Sequence, residues 1–407
     1  MKNYLVTFSL LLILVVSITS FVFIAKDFKL IEEKPFNSSD PKNQAERKQN
    51  LSDQKINKEQ PDPVKKEVPT ITSATIAGVG DMLIANSIIS DAKQNDGSYD
   101  FKPMFELVKP YISQADIAFA NQETILGGLE LGLSGYPRFN SPFQVGDALL
   151  FAGFDVLSLA NNHTLDMGEK GILNAINYYN STDLVYTGAY QSKEDQETIR
   201  IIEKNGIDFS FLAYSYGTNG LPVPSGKDYL INLIDVDKVN EAIKAAKKKS
   251  DVVVLSLHFG NEYELLPNDT QKMLVNEFAQ TGADIIFGHH PHVLQPLEWI
   301  EKEDGTRTFV AYSLGNFLSG QVGIEREIGG IVQLQVEKTV FADEVSIKLK
   351  DPRFLATFSY KKNWRNYKIY PLDEINDATI LKNASEHLEN TKQQLSQWMP
   401  ELKFDLN

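Results

Sequence analysis

Short apolar runs that end in metal-binding types of residue alternate with helical patterns along most of this chain. Val252 to Leu257 is a β-branched run that leads into His258, and Asp284 to Phe287 leads into Gly288-His289-His290-Pro291-His292. Runs of this kind predict strands, and the segments between them predict helices. The alternation therefore predicts an α/β sheet with helices on its faces.

The polar residues that follow these runs predict a shared site. In such sheets ligands bind beyond the carboxyl ends of the strands, where side chains extend into one crevice. The positions of this kind are Asp81, Glu123, Asn162, His163, His258, His290, His292 and Asn316. The run Ile207 to Ala213 is interpreted as a strand without a polar terminus of this kind. Five of the six histidines follow apolar runs and only His387 lies elsewhere, so we interpret the five as one site.

The types of donor indicate a divalent metal. Carboxylate, imidazole and amide groups suit Mn, Fe, Zn or Mg, and a chain without cysteine offers only N and O ligands. The predicted metal ligands are Asp81, Glu123, Asn162, His258, His290 and His292. The alternative for these histidines is a set of hydrogen-bonded core residues that stiffen loops, and the alternative for Glu123 is a solvated turn. A net charge of -14 and a pI near 5.0 argue against a nucleic-acid partner.

Four further residues are candidates for catalysis or substrate binding. His163 is predicted as a general acid and Asp166 as the carboxylate that orients it, unless Asp166 caps the helix that begins near Gly168. Arg138, in the glycine-rich loop 124–145, is predicted to hold an anionic group, unless it is an ordinary ion-paired surface residue. Asn316 is predicted to contact substrate.

The first 25 residues are predicted to form a transmembrane anchor. Tyr4 to Ala25 carries no charge and would span roughly 33 Å as a helix. The alternative is a cleaved signal peptide, although the apolar run continues beyond the weak cleavage site at Ser17-Ile18-Thr19. Residues 26–70 are polar and predict a disordered linker. We therefore expect a single-pass membrane protein whose main domain is extracytoplasmic.

The rest of the chain is predicted to form the main domain, 71–335, and a C-terminal part, 336–407, that completes it. An earlier helix is predicted from Pro103 to Gln114. The pattern changes beyond Gly329, where strands are predicted at Ile331 to Val336, Val345 to Leu349, Phe354 to Tyr360 and Tyr367 to Ile369. A last helix is predicted roughly from Asp377 to Trp398.

Several of these motifs, taken in order, resemble the CapA family, also called PgsA, of poly-γ-glutamate capsule synthesis and export. The motifs are Gly80-Asp81, Asn161-Asn162-His163 with Asp166 and Gly168, His258-Phe259-Gly260-Asn261-Glu262-Tyr263, Gly288-His289-His290-Pro291-His292-Val293 with Gln295, and Tyr312-Ser313-Leu314-Gly315-Asn316-Phe317. The resemblance covers about residues 73 to 335. It implies an extracytoplasmic domain that works with membrane-bound synthase and export subunits.

That family is in turn similar to calcineurin-like metallophosphoesterases, whose fold is a sandwich of two mixed β-sheets flanked by helices. The resemblance implies that Asp81, Asn162, His163, His258, His290 and His292 occupy the positions of the enzymes' ligands and acid. The chain departs from the enzyme pattern at two positions, because residue 83 is Leu rather than His, and Glu123 or Asn121 replaces an Asp. These departures put two-metal phosphoester hydrolysis in doubt.

Three functions follow as hypotheses. The first is an accessory capsule subunit that binds a metal and, through it or Arg138, the carboxylates of an anionic polymer. The second is a secreted metal-dependent hydrolase that acts on phosphoesters or a polymer linkage. The third is a purely structural component of the exporter.

Overall fold

Fourteen strands form two mixed sheets in residues 68–406, the part of the chain that the computed structural model describes. The strands are β1 (Thr70–Leu83), β2 (Ile117–Asn121), β3 (Val156–Ser158), β4 (Val185–Thr187), β5 (Arg200–Lys204), β6 (Ile207–Ser215), β7 (Val252–His258), β8 (Ile285–His289), β9 (Leu297–Glu301), β10 (Arg307–Ala311), β11 (Asn316–Ser319), β12 (Ile328–Phe341), β13 (Glu344–Lys362) and β14 (Arg365–Pro371). The first sheet has eight strands in the order β14-β13-β12-β1-β2-β3-β4, with β11 paired to β1. The second has six in the order β5-β6-β7-β8-β10-β9.

Parallel pairing occupies one half of the first sheet and the middle of the second. In the first sheet β1, β2, β3 and β4 run parallel, and in the second β6, β7, β8 and β10 do so. Their sequences are rich in Val, Ile, Leu and Phe, as strands covered on both faces require. The antiparallel strands β12, β13 and β14 extend the first sheet beyond β1.

Helices flank the two sheets. They are α1 (Asn86–Ala92), α2 (Lys109–Ser113), α3 (Gln144–Ala152), α4 (Gly168–Tyr179), α5 (Lys193–Glu197), α6 (Val236–Lys247), α7 (Asp269–Thr281), α8 (Ile324–Glu327) and α9 (Ala384–Ser396). Local sequence sets their starts: the Asn268 side chain caps α7 in a reciprocal capping box with Gln271, and Asp235 caps α6.

An aromatic core holds the two sheets face to face. Phe119 of the first sheet lies with its ring centroid 5.5 Å from Phe287 and 6.3 Å from Phe211, both in the second sheet. All three side chains are buried, and burial of each contributes roughly 1.5 to 3 kcal/mol. Separate apolar clusters pack α3 and α4 on the first sheet and α6 and α7 on the second. The predicted sandwich of two mixed sheets flanked by helices is confirmed.

The N-terminal predictions concern another part of the chain. The predicted anchor, residues 1–25, and nearly all of the predicted linker, 26–70, lie outside the described residues. Between residues 68 and 406, no helix has the length and apolar character that crossing a bilayer requires. The predicted boundary at residue 335 falls inside β12, so the C-terminal strands share a sheet with β1.

Two predicted helices are shorter than expected. The segment from Pro103 to Gln114 divides into a 3₁₀ turn at Lys102–Met104 and helix α2. The last helix begins at Ala384 rather than near Asp377, because the Asp377 carboxylate accepts a 2.8 Å hydrogen bond from the Thr379 N–H. This local turn competes with helical hydrogen bonding, and Asn383 before the helix is left-handed at a φ of 55°.

Two predicted strands are in fact one. Val345 to Leu349 and Phe354 to Tyr360 belong to the continuous strand β13. Between them, Asp351 has a φ of 54°, opposite a register shift in β12. The polar residues that suggested a loop therefore form an irregularity within one strand.

Candidate metal centre

Strand register brings the predicted site together from both sheets. In the first sheet Asp81 of β1 pairs with Asn121 of β2 on one side and with Asn316 of β11 on the other. In the second sheet His258 of β7 pairs with His289 of β8. Asp81, Asn121, His258 and His289 lie at the carboxyl ends of parallel strands, whereas Asn316 begins β11. The two rows of polar residues therefore meet at one edge of the sandwich.

Two glycines allow backbones to approach closely behind the site. A Cβ on Gly80 would lie 1.9 Å from the Gly315 carbonyl oxygen, and one on Gly288 would lie 2.0 Å from the Tyr312 carbonyl oxygen. With glycine at position 80, the Asp81 N–H donates a 2.9 Å hydrogen bond to the same Gly315 oxygen. Any side chain at either glycine would therefore displace the strand end that carries Asp81 or the histidines.

The turn after β8 presents alternate histidines to Asp81. His290 and His292 have φ values of 97° and 57°, a left-handed conformation that residues with a Cβ rarely adopt. The Asp81 Oδ2 atom accepts a 3.3 Å hydrogen bond from the His290 N–H and lies 3.1 Å from His292 Nδ1. The Asn316 amide holds the turn from behind by donating to the His292 carbonyl oxygen at 3.2 Å. The strained turn is thus fixed on both sides.

Glu123 lies at the centre of the imidazoles. Its Oε1 atom is 3.7 Å from His258 Nε2 and 3.7 Å from His292 Nε2, and the side chain is fully buried. Burial shows that the solvated-turn alternative for Glu123 is wrong. Neither carboxylate oxygen receives a hydrogen bond from any residue in the described part of the chain. A buried carboxylate without donors is costly unless a cation is supplied.

Asn162 and His258 place two donor atoms side by side. The Asn162 Oδ1 atom lies 3.0 Å from His258 Nε2. On the other edge of the imidazole, Asn121 Nδ2 lies 3.4 Å from His258 Nδ1 and donates to Asp81 Oδ1 at 2.8 Å. Asn121 therefore orients both a carboxylate and an imidazole, whereas Glu123 contributes its own carboxylate to the donor groups.

His163 and Asp166 form a buried pair next to this cluster. The His163 Nδ1 atom lies 2.8 Å from Asp166 Oδ2, which also accepts a 2.7 Å hydrogen bond from the Phe139 N–H. The Phe139 ring packs edge-on against the imidazole at 4.7 Å. Asp166 provides no cap for α4, whose start at Met167 has no side-chain cap, so the capping alternative is wrong. The carboxylate orients the imidazole instead.

Burial and neighbouring charges shift the pKa values in opposite directions. Burial, and next the neighbouring His290, hold the pKa of His258 well below its usual range. Burial and the charge of His292 lower the pKa of His290 to about 4. Burial alone would lower the pKa of His292, but Glu123 and Asp81 raise it to about 9. His258 and His290 are therefore neutral near pH 7, the form that binds metals.

The pKa values of the two carboxylates, Asp81 and Glu123, are also shifted in opposite directions. Burial alone would raise the pKa of Asp81, but His289 and His292 outweigh it and hold that pKa well below its usual range. Burial, with Asp81 nearby, raises the pKa of Glu123 well above its usual range despite the attraction of His292. The site thus contains one firmly ionised carboxylate and one that ionises fully only when positive charge is added.

The donor atoms fit a metal ion. Three groups have donor atoms within 4.8 Å of one another: Asp81 with Glu123 and His292, Glu123 with His258 and His290, and Glu262 with His290 and His292. Two imidazoles and a carboxylate suit Mn, Fe or Zn, and the buried His290 Nδ1 has no hydrogen-bond partner among the described residues. His163 belongs to none of these described groups, and its role as a general acid stays a prediction.

The end of β6 also contributes to the site, although the sequence predicts a strand without a polar terminus of the metal-binding kind there. The Tyr216 ring lies 4.7 Å from that of His290 and 6.3 Å from that of His258. Asn219 Oδ1 accepts a 3.2 Å hydrogen bond from Asn162. The signal was a Tyr-Gly-Thr-Asn sequence after the strand, which contains no histidine or carboxylate to mark it.

The two predicted substrate contacts are in different surroundings. Arg138 is exposed and lines a groove of about 410 Å³ together with Asp166 and Leu221. Its guanidinium forms no ion pair within residues 68–406, so the alternative of an ion-paired surface residue is not what the structure contains. Asn316 is fully buried, and its amide also donates to the Gln321 side chain and the Arg326 carbonyl oxygen. A substrate contact by Asn316 stays a prediction.

Solved structures give weak overall similarities to this chain. A calcineurin-like phosphoesterase from Bacillus subtilis has a TM-score of 0.42 and 15% identity, covering 80% of this chain and 98% of that one. A 5'-nucleotidase precursor from Thermus thermophilus has a TM-score of 0.43 and 12% identity, covering 79% of this chain and 58% of that one.

Sequence relatives and a family model give a more specific result. A capsule biosynthesis protein CapA from Bacillus anthracis is 29% identical over 289 residues, which cover 68% of each chain. A PGA biosynthesis protein CapA from Bacillus subtilis is 34% identical over 187 residues, covering 46% of this chain and 48% of the relative. The model of the bacterial capsule synthesis protein PGA_cap matches residues 75–321, which contain every predicted site residue. The chain therefore belongs to the bacterial capsule synthesis protein family PGA_cap, as the resemblance to CapA predicted.

Proposed function

We propose that this chain is a metal-dependent component of capsule biosynthesis that is anchored in the cell membrane and works outside the cytoplasm. One observation carries the proposal. Glu123 is a fully buried carboxylate near two imidazoles, and neither of its oxygens accepts a hydrogen bond from the described residues. A protein core does not keep such a group for packing, because an apolar side chain would cost less there. A cation between Glu123 and the histidines accounts for it.

The proposed ligands come from both sheets. Asp81, Glu123 and His292 would hold the ion on one side, and Asn162, His258 and His290 on the other. A divalent ion in this position supplies positive charge that polarises a phosphoryl or carbonyl oxygen. Because the Asp81 pKa is low and His258 and His290 are neutral near pH 7, three donors are already in their binding form.

The chemistry that the neighbouring residues support is hydrolysis. Asp166 accepts the Nδ1–H of His163, which fixes the tautomer and leaves Nε2 as the atom that exchanges a proton with a leaving group. This pair is the observation that favours a hydrolase acting on a phosphoester or polymer linkage. An accessory subunit that only binds metal and polymer has no need of an oriented acid.

Arg138 provides the proposed position for an anionic group of the substrate. Arg138 forms no ion pair within residues 68–406 of a protein whose net charge is -14, and it lines the groove together with Asp166, the partner of His163. The groove walls Leu165 and Leu221 are apolar, which suits the hydrocarbon part of a chain that carries spaced carboxylates. We propose that an anionic polymer of the capsule binds in this groove.

Membrane attachment and partners are proposed from sequence alone. The uncharged run Tyr4 to Ala25 would anchor the chain, and residues 26–70 would separate the domain from the bilayer. Capsule synthase and export subunits are then the expected neighbours. Protease digestion of intact spheroplasts tests this arrangement: cleavage of the domain is expected, and full protection would contradict an extracytoplasmic location.

Metal analysis of the full-length protein tests the centre. We expect bound Mn, Fe or Zn in the wild type and its loss in a His258→Ala, His292→Ala double variant. His387→Ala is the matched control, because His387 lies on α9 and belongs to none of the described donor groups. A wild-type protein without metal after purification in the presence of each ion would refute the proposal.

Turnover assays distinguish a metal-dependent hydrolase from an accessory subunit that only binds metal. A hydrolase predicts that bis-(p-nitrophenyl) phosphate or isolated capsule polymer is cleaved and that His258→Ala abolishes cleavage. An accessory subunit predicts metal binding without turnover, together with loss of capsule in the same variant. Normal capsule production by the His258→Ala, His292→Ala variant would indicate a structural role instead.

A further inference from the structure

We infer that Glu262 is an exchangeable carboxylate ligand on the open side of the proposed metal centre. This inference rests on the proposed metal binding and assigns a residue that the six predicted ligands do not include. One carboxylate oxygen of Glu262 and one nitrogen each of His290 and His292 lie within 4.8 Å of one another. Glu262 is exposed, whereas the other donors in the described groups are buried.

In the donor group that contains Glu262, both imidazoles are buried but no buried carboxylate takes part. Asp81 and Glu123 share His292 on the core side, and Leu83, two residues after Asp81, is buried and has no donor atom. His290 and His292 are each part of two donor groups, once with Glu123 and once with Glu262. Glu262 thus supplies a solvent-exposed carboxylate to the same imidazoles that have a buried carboxylate, Glu123, among their neighbours.

The loop that carries Glu262 is attached to the histidine turn at both ends. The Phe259 N–H donates to the His289 carbonyl oxygen at 3.1 Å, and the Tyr263 N–H donates to the Pro291 carbonyl oxygen at 2.8 Å. These bonds connect residues on either side of Glu262 to residues on either side of His290. The backbone of Glu262 therefore keeps a fixed distance from the imidazoles, although its side chain is solvent-exposed.

Exposure gives this carboxylate a different role from that of Glu123. It forms no ion pair with a lysine or arginine of the described chain, and it can leave the imidazoles without opening the core. An anionic group of a substrate can then take its position. Glu262 would close the centre in the absence of substrate and give way when a carboxylate or phosphate arrives.

Metal titration of Glu262→Gln in the full-length protein tests the inference. The matched control is Glu264→Gln, two residues along the same loop, because Glu264 accepts a hydrogen bond from Asn261 at 3.0 Å and belongs to no donor group among the described residues. Calorimetric titration with Mn²⁺ is expected to give at least about tenfold weaker binding for Glu262→Gln, and no more than about twofold for Glu264→Gln. The visible spectrum of the Co²⁺-loaded protein is expected to change only in Glu262→Gln.

The outcomes distinguish this inference from the proposed function. Wild-type affinity and an unchanged Co²⁺ spectrum in Glu262→Gln, with metal lost in His292→Ala, would overturn the role of Glu262 alone. A wild type that binds neither ion would overturn both. Because Glu262 is exposed, the variant is expected to fold, and circular dichroism of the metal-free proteins checks this.

Discussion

Replacement of Glu123 by Gln is expected to raise the free energy of unfolding of the metal-free protein. It is also expected to reduce the stabilisation that added metal provides. Two buried carboxylate oxygens have no hydrogen-bond donor in the described chain, and each unsatisfied group costs about 1 to 3 kcal/mol. His292, whose Nε2 atom lies 3.7 Å from Glu123 Oε1, offsets part of that cost. We therefore expect the neutral, isosteric side chain to raise the free energy of unfolding by roughly 2 kcal/mol.

Added metal is expected to remove the stability advantage of Glu123→Gln over the wild type. Ligand at a hundredfold excess over Kd stabilises the wild type by about 2.7 kcal/mol. If the loss of a charged ligand weakens binding about a hundredfold, the same metal concentration stabilises Glu123→Gln by only about 0.4 kcal/mol. The variant should therefore unfold a few degrees above the wild type without metal and lose that advantage with metal.

Differential scanning calorimetry with chelator or with added Mn²⁺ measures both quantities. Glu344→Gln removes the same charge from an exposed position and should change neither. The raised pKa of Glu123 also sets a pH dependence: the folded chain binds a proton more tightly than the unfolded one, so this group destabilises the metal-free wild type increasingly as pH rises above the unfolded pKa. The advantage of Glu123→Gln should therefore shrink in acid. A less stable metal-free variant with an unchanged response to Mn²⁺ would refute the reasoning.

Three further predictions follow from the described contacts. Asp166→Asn should lower the rate of any hydrolysis by at least about a hundredfold with metal content unchanged, because it removes the carboxylate that orients His163; loss of metal in this variant would contradict that role. Metal binding near pH 7.5 should release about one proton from His292, whose pKa is raised to about 9, and the remaining proton of Glu123, whose pKa is also raised, since the bound imidazole is neutral and the bound carboxylate is ionised; titration calorimetry in buffers of different ionisation enthalpy measures the total. Asp284→Ala should lower the free energy of unfolding by roughly 3 kcal/mol without affecting metal affinity, because Asp284 binds Lys247 and Lys302 at the other end of β8; chemical denaturation checks it.

The sequence does not assign Tyr216 or Glu262 to the site, and it names Asn121 only as an alternative to Glu123. Asn121 nevertheless ends β2, the other two follow strands, and each lies within reach of a predicted ligand. An amide, a phenol and a loop carboxylate are ordinary residues at such positions, so their type carries little information. Only the register of neighbouring strands and the attachment of the loop at Tyr263 reveal them.

The sequence by itself determined the fold class and named most of the residues that meet at the candidate site. Alternating apolar runs specify strands and helices through local periodicity, and histidines at the ends of those runs mark an edge of the sheet because parallel strands end together. Tertiary structure decided what those residues do to one another. The Asp166 carboxylate contacts His163, three residues away, and not the start of a helix. Within residues 68–406, Glu123 is buried without a hydrogen-bond donor and Arg138 lines a groove without an ion pair. The last two facts depend on distances between segments far apart in the chain. Such distances are fixed by the packing of two sheets, which no local pattern encodes.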